Sequence, residues 1–222
     1  MNKNPFLSIV PRKTENIVAL DKEVKQAKKM AKGIEKGKIL FISGEYGSGK
    51  SLILKKLEKA IPKKVEKKEF IANIDLMNDL KGLPMEEAMH KKLVVYIDRM
   101  DLIEVMKKKQ VDRIVEMIIV GSEASVGFII SITPRVLNNL FKRYPDLKNK
   151  SSVYEMKPLS LKQTKELVLS RLNESRKKKS KKFEPFTKEE IEYVWKKSKG
   201  NPRMILLICA TLYDAKMQEV EK

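Results

Sequence analysis

Apolar positions along this chain switch between two periods, and the switching predicts its architecture. From about Leu20 to Ile34 they recur at helical spacing between lysines, which predicts an amphipathic helix ending near Gly33 or Gly37. The unbroken run Ile39-Leu40-Phe41-Ile42 reads as a short buried strand. Leu52, Ile53, Leu54 and Leu57 then fall among lysines in a helical pattern that stops before Pro62. Phe70-Ile71-Ala72-Asn73-Ile74 predicts a second strand. Leu93-Val94-Val95-Tyr96-Ile97 is the run expected of a parallel strand buried on both faces. A helix is expected over about Asp112 to Val120, or from an earlier start around Leu102. A fourth strand is expected from Val126 to Ile132 and a fifth near Val153-Tyr154-Glu155-Met156. Strands alternating with helices call for an α/β fold: a parallel sheet with right-handed crossovers and helices on both faces.

After Pro158 only helical patterns remain, at Ser160–Asn173, Thr187–Lys197 and Pro202–Met217. Thr187-Lys188-Glu189-Glu190 has the form of a capping box, and Asn201-Pro202 puts an N-cap residue before a proline at the first helical position. The expected organisation is a three-layer parallel-sheet domain over residues 1–158 and a small all-helical domain over 159–222. The run Arg176-Lys177-Lys178-Lys179-Ser180-Lys181-Lys182 reads most simply as a solvated, mobile loop between two helices.

Composition narrows the function classes. Lys+Arg outnumber Asp+Glu by 48 to 29 over 222 residues, a formal net charge of +19. Such a balance favours a polyanionic partner, nucleic acid first and an anionic membrane surface second. A Lys-, Glu- and Ile-rich chain poor in glutamine and cysteine is equally what a hot habitat, that of a thermophile, produces. The single Cys209 excludes an intramolecular disulfide framework, suits a reducing cytoplasm, and lies in an apolar run as a small buried hydrophobe would. One cysteine and one histidine, His90, leave no ligand set for a zinc cluster. No apolar run has the length of a membrane span, and the N-terminus lacks an apolar signal core.

The candidate chemistry begins between the first strand and the helix after it. Gly44-Glu45-Tyr46-Gly47-Ser48-Gly49-Lys50-Ser51 matches the phosphate-binding pattern G-x-x-x-x-G-K-[ST] in full, in its required strand–loop–helix context. Backbone N–H groups of such a loop, continuing to Leu52, can cradle the phosphates of ATP at the positive end of the helix. Lys50 is expected to face the β- and γ-phosphates, and Ser51 to take a Mg²⁺ position. Asp98 closes the third strand, so its carboxylate emerges at the C-terminal edge where ligands of open parallel sheets bind, and it is expected to hold Mg²⁺ through water. The next residue, Arg99, cannot accept a proton. Either a nearby carboxylate, Asp101 or Glu104, substitutes as base, or hydrolysis is slow and bound ATP acts as a conformational switch. Thr133, with Ser131 second, is the polar group at the end of the fourth strand expected to touch the γ-phosphate or the water. Arg203 opens the last helix and is expected to contact the γ-phosphate from a helical lid.

Taken together, GEYGSGKS, VVYIDRMD, a strand ending in Thr133 and GNPR on a terminal helical lid resemble an AAA+ ATPase, from about Asn4 to Ala215. The resemblance is nearest the archaeal origin-recognition/initiator ATPases and the related ExeA-type and STAND ATPases, without their winged-helix domain. It implies Lys50 and Ser51 as Walker A, Asp98 as Walker B, Thr133 as sensor 1 and Arg203 as sensor 2. It also implies that the stretch around Val10-Pro11-Arg12 packs beside the adenine. Arg143, then Arg135, are the candidate arginine fingers should the chain self-associate. Three functions remain open: an ATP-dependent factor acting on DNA or a DNA-bound machine, a signalling or assembly switch with a protein partner, and a small-molecule kinase.

Overall fold

The computed structural model describes residues 4–7, 20–62, 65–72, 76–82, 92–176 and 178–220. These form a five-stranded sheet, wholly parallel, from β1 (Ile39–Ser43), β2 (Glu66–Ile71), β3 (Leu93–Asp98), β4 (Gly127–Ile132) and β5 (Ser151–Glu155), in the order β2-β3-β4-β1-β5. The three central strands, β3, β4 and β1, are the continuous apolar runs of the sequence, because both of their faces are covered. The edge strands are not. β2 reads Glu-Lys-Lys-Glu-Phe-Ile with partly exposed side chains, so its charged half carries no apolar signal. The expected second strand therefore starts four residues too late and runs past Ile71, and its Asn73 and Ile74 lie outside the described residues.

Side-chain alternation divides the central strands into two faces. Ile39, Phe41, Val95, Ile97, Phe128, Ile130 and Ile132 pack with α3 (Leu76–Lys81), α4 (Lys108–Glu123), α5 (Pro134–Arg143) and α6 (Pro145–Lys150) into one continuous core. The opposite face carries α2 (Lys50–Glu58), which buries Ile53, Leu54 and Leu57 against β1, β4 and β3. α1 (Asp21–Met30) lies on that face too, its Gln26 accepting a hydrogen bond from the Tyr154 hydroxyl at 3.4 Å. Asp98 and Ser131 share the parity of Ile42 and so belong to the α2 face.

Two helices, α5 and α6, were not expected. Proline at a first helical position starts α5 at Pro134, directly after Thr133, and Pro145 starts α6 likewise. The helix around Asp112 to Val120 runs further in both directions, after a separate 3₁₀ turn at Met100–Val105.

The chain divides into two compact units. One holds the sheet and its helices, residues 23–46 and 50–156. The other gathers the described residues at the chain start, Gly47–Gly49 and the chain from Lys157 onward. This second unit consists chiefly of α7 (Leu161–Ser175), α8 (Lys188–Ser198) and α9 (Pro202–Val220). Its core is Val168, Leu172, Ile191, Val194, Ile205, Leu206 and Cys209, all buried. Phe6 joins that core, edge-on to Phe186 at 5.6 Å and beside Tyr213 at 6.0 Å, while the Asn4 amide bonds the Ala210 carbonyl. The Thr187/Glu190 capping box is present, and a second one, Ser160/Gln163, opens α7. Among the described residues no helix is long and apolar enough to cross a membrane.

Candidate nucleotide site

The phosphate-binding sequence forms the turn between β1 and α2. The Gly44 amide continues the sheet by donating to the Ile132 carbonyl at 3.1 Å. Gly47 and Gly49 have φ of 80° and 100°, the left-handed region glycine enters without penalty. At Gly47 the space is equally decisive, since a Cβ there would meet the Arg203 Cβ at 2.5 Å and Asn201 Oδ1 at 2.9 Å. All three residues lie in the helical unit, where the Arg203 amide also donates to the Gly47 carbonyl at 3.3 Å. The start of α9 is built for this approach. Asn201 Oδ1 accepts the Arg203 and Met204 amides at 3.0 and 3.2 Å, and Gly200 takes φ of 70° where a Cβ would strike the Leu159 carbonyl at 2.4 Å. Arg203 itself is exposed.

Lys50 is buried, and its ammonium donates to the Gly44 carbonyl at 2.7 Å and the Glu45 carbonyl at 3.3 Å. Its nitrogen also lies 5.9 Å from the centre of the Tyr46 ring. Burial lowers its pKa, opposed by the charges of Asp101, Asp98 and Glu45 and by Tyr46. The cation is thus set among carboxylates that β3 and the turn after it supply. Ser51 is exposed and Leu52 partly so, at the start of α2.

Asp98 ends β3 beside Ile71, and one of its oxygens, Oδ1, accepts both the Arg99 amide at 2.9 Å and the Ser131 hydroxyl. Ser131 Oγ accepts the same Arg99 amide at 2.8 Å. Ser131, ranked second to Thr133 in the sequence as the γ-phosphate or water contact, is fully buried, and its partnership with Asp98 was not anticipated. The signal for it is parity, since β4 lies between β1 and β3 and presents Ser131 to the same face as Asp98. Thr133 follows at the strand's end. Its amide donates to Asp101 Oδ1, and its hydroxyl makes no cap for α5. Asp101 thus bonds the end of β4 and its charge acts on Lys50, whereas Glu104 is paired with Arg135 at 2.5 Å. Arg143 pairs with Asp112 at 2.6 Å and lies 5.1 Å from the Tyr144 ring, so both candidate arginine fingers have partners within the chain. Pro11 lies outside the described residues.

The donor set suits Mg²⁺. Ser51 and Asp98 offer hard oxygens, and this ion keeps several waters and needs only one or two carboxylates beside substrate phosphates. Among the described residues no cluster of three or more His, Cys, Asp or Glu forms an all-protein metal cage.

No protein-family model matches the chain, and no curated protein matches it. Among solved structures it is similar to the ORC2 protein of Aeropyrum pernix in its ADPNP–ADP complexes, with a TM-score of 0.64 and 13% identity over 99% of this chain and 68% of that one. The ADP form of the same protein gives a TM-score of 0.58 and 14% identity over 98% and 67%. Domain III of the Thermotoga maritima replication initiation protein DnaA gives 0.63 and 17% over 94% and 90%. At such identities the likeness is one of fold: the chain has the P-loop NTPase type of α/β fold, with an all-parallel five-stranded sheet and a helical C-terminal part.

Proposed function

We propose that this protein binds ATP with Mg²⁺ at the Gly44–Ser51 turn and works as a nucleotide-controlled switch with slow hydrolysis, acting on DNA or a DNA-bound machine. One observation carries the reading: the buried Lys50 ammonium is held by the Gly44 and Glu45 carbonyls at the sheet edge that also bears Asp98. There it can exchange carbonyl dipoles for the full negative charge of phosphates. The A. pernix neighbour was solved with ADPNP and ADP, which supports a nucleotide as the ligand.

In this reading the N–H groups of residues 44–52 orient the phosphates, and Lys50 neutralises the β- and γ-oxygens. Ser51 and Asp98 would hold the metal, whose chemistry would be to offset the negative charge of the phosphates. Ser131 fixes the Asp98 carboxylate through its hydroxyl. Thr133 is the proposed γ-phosphate or water contact, supported by a hydroxyl not used as a helix cap. Arg203 is proposed as a further phosphate contact, supported by its backbone bond to Gly47.

Lys50→Ala removes the charge facing the phosphates and should abolish ATP binding while leaving the fold intact. Calorimetry of both proteins with MgATP, alongside circular dichroism, is the test. Equal affinity in a folded variant would overturn the assignment of the site.

A further inference from the structure

Arg99 occupies the place after Asp98, and the structure gives it a conformation that costs energy. Its φ is 58°, in the left-handed region that non-glycine residues seldom enter. Two acceptors, Asp98 Oδ1 and Ser131 Oγ, take its amide and hold the backbone there. In this conformation the side chain turns toward the phosphate-binding turn, where its Nη2 donates to the Tyr46 hydroxyl at 3.4 Å. Tyr46 is itself exposed, and its ring is the one that the Lys50 ammonium approaches at 5.9 Å. Two cations thus share one tyrosine as neighbour, one on a strand end and one at a helix start. The Tyr46 contact is long and solvent-exposed, so an oxygen of a dianionic terminal phosphate would compete with it easily.

We propose that Arg99 is the residue that distinguishes a nucleoside triphosphate from a diphosphate in this site, its guanidinium moving from the Tyr46 hydroxyl to the terminal phosphate. The proposal rests on the nucleotide-binding reading above and adds a specificity to it. A guanidinium presents a planar fork of donors that matches two phosphate oxygens and stays charged at any physiological pH. Placed after Asp98, it replaces water activation with phosphate retention. The chain then holds ATP more tightly than ADP and reports which of the two is bound.

Substitution by asparagine tests this cleanly, because asparagine tolerates a left-handed backbone and keeps the amide that bonds Asp98 and Ser131. Affinities of the full chain for ADP and for a non-hydrolysable imido analogue of ATP are measured by calorimetry in Mg²⁺. Arg99→Asn should lower the triphosphate-over-diphosphate preference about tenfold or more, the effect of one charge-assisted phosphate contact, with ADP affinity within about twofold of wild type. Arg99→Lys, with charge but no fork, should fall between the two. Tyr46→Phe removes the competing hydroxyl and should keep or raise the preference. An unchanged preference in Arg99→Asn, or an equal loss for both nucleotides, overturns the role of Arg99. A preference lost in Tyr46→Phe but kept in Arg99→Asn does the same. Failure of wild type to bind either nucleotide would instead remove the nucleotide reading, and this proposal with it.

Discussion

Asp98 and Asp101, two of the carboxylates whose charge acts on Lys50, are both engaged by backbone amides. Asp98 accepts the Arg99 amide and the Ser131 hydroxyl, and Asp101 accepts the Thr133 amide. Arg99, the residue after Asp98, cannot accept a proton, so the position from which a base would be expected to act on water supplies none. Steady-state phosphate release should accordingly fall well below the ~10 s⁻¹ typical of enzymes. Rapid turnover by the isolated protein would show that another group supplies the base. This inference was half legible in the sequence. VVYIDRMD announces Asp98 and Arg99, but that Glu104 is paired with Arg135 and Asp101 with the Thr133 amide could be seen only in the tertiary structure.

Among the elements, the basic segment between α7 and α8 is exposed at its described lysines, as its sequence reading expects, and also carries hydrogen bonds of its own. Asn173 bonds both the carbonyl and the amide of Ser180, at 3.0 and 2.9 Å, and Arg176 donates to the carbonyls of Lys182 and Glu184 at 2.8 and 2.7 Å. Arg176 thus shapes the loop, while Lys178, Lys179, Lys181 and Lys182 remain exposed. A loop braced in this way can present several ammonium groups together to a phosphate backbone at less entropic cost than a loose one. Changing those four lysines to glutamine should weaken binding to duplex DNA and reduce the slope of log affinity against log salt by about 3 to 4. Fluorescence anisotropy at several salt concentrations reads both quantities. Identical slopes would make the cluster a solvated loop and favour a protein partner for the switch.

Across the whole molecule, several acidic groups in both compact units have their ionisation suppressed. Burial pushes the Cys209 thiol up to about 12 from its usual 9. Burial does the same to Tyr154, and burial with the Asp112 hydrogen bond to Tyr144, each to about 12 from 10. Above pH 9 the unfolded chain therefore releases protons that the folded chain retains. The unfolded state then binds fewer protons, so stability falls as pH rises, progressively between about 9 and 12. Urea midpoints at pH 8 and 10.5 should show this decline, and Cys209→Ala should show less of it. The native thiol should resist alkylation at pH 8 and react fully in denaturant. Equal alkaline slopes in both proteins would place the effect elsewhere.

The sequence alone determined the strand–turn–helix that carries Lys50, the strand that ends in Asp98, and the capped helices after Pro158. Each is set by local chemistry: glycine conformation, uninterrupted apolar runs, and side chains that bond nearby amides. Strand order was beyond its reach, since a period of two says that a strand is buried and not which neighbour buries it. That order, with β4 between β1 and β3, is what sets Ser131 against Asp98 and brings the Thr133 amide to Asp101. The direction of Arg99 was beyond its reach too. It depends on a left-handed backbone held by acceptors on two strands, Asp98 on β3 and Ser131 on β4, 33 positions apart, and only tertiary packing places them together.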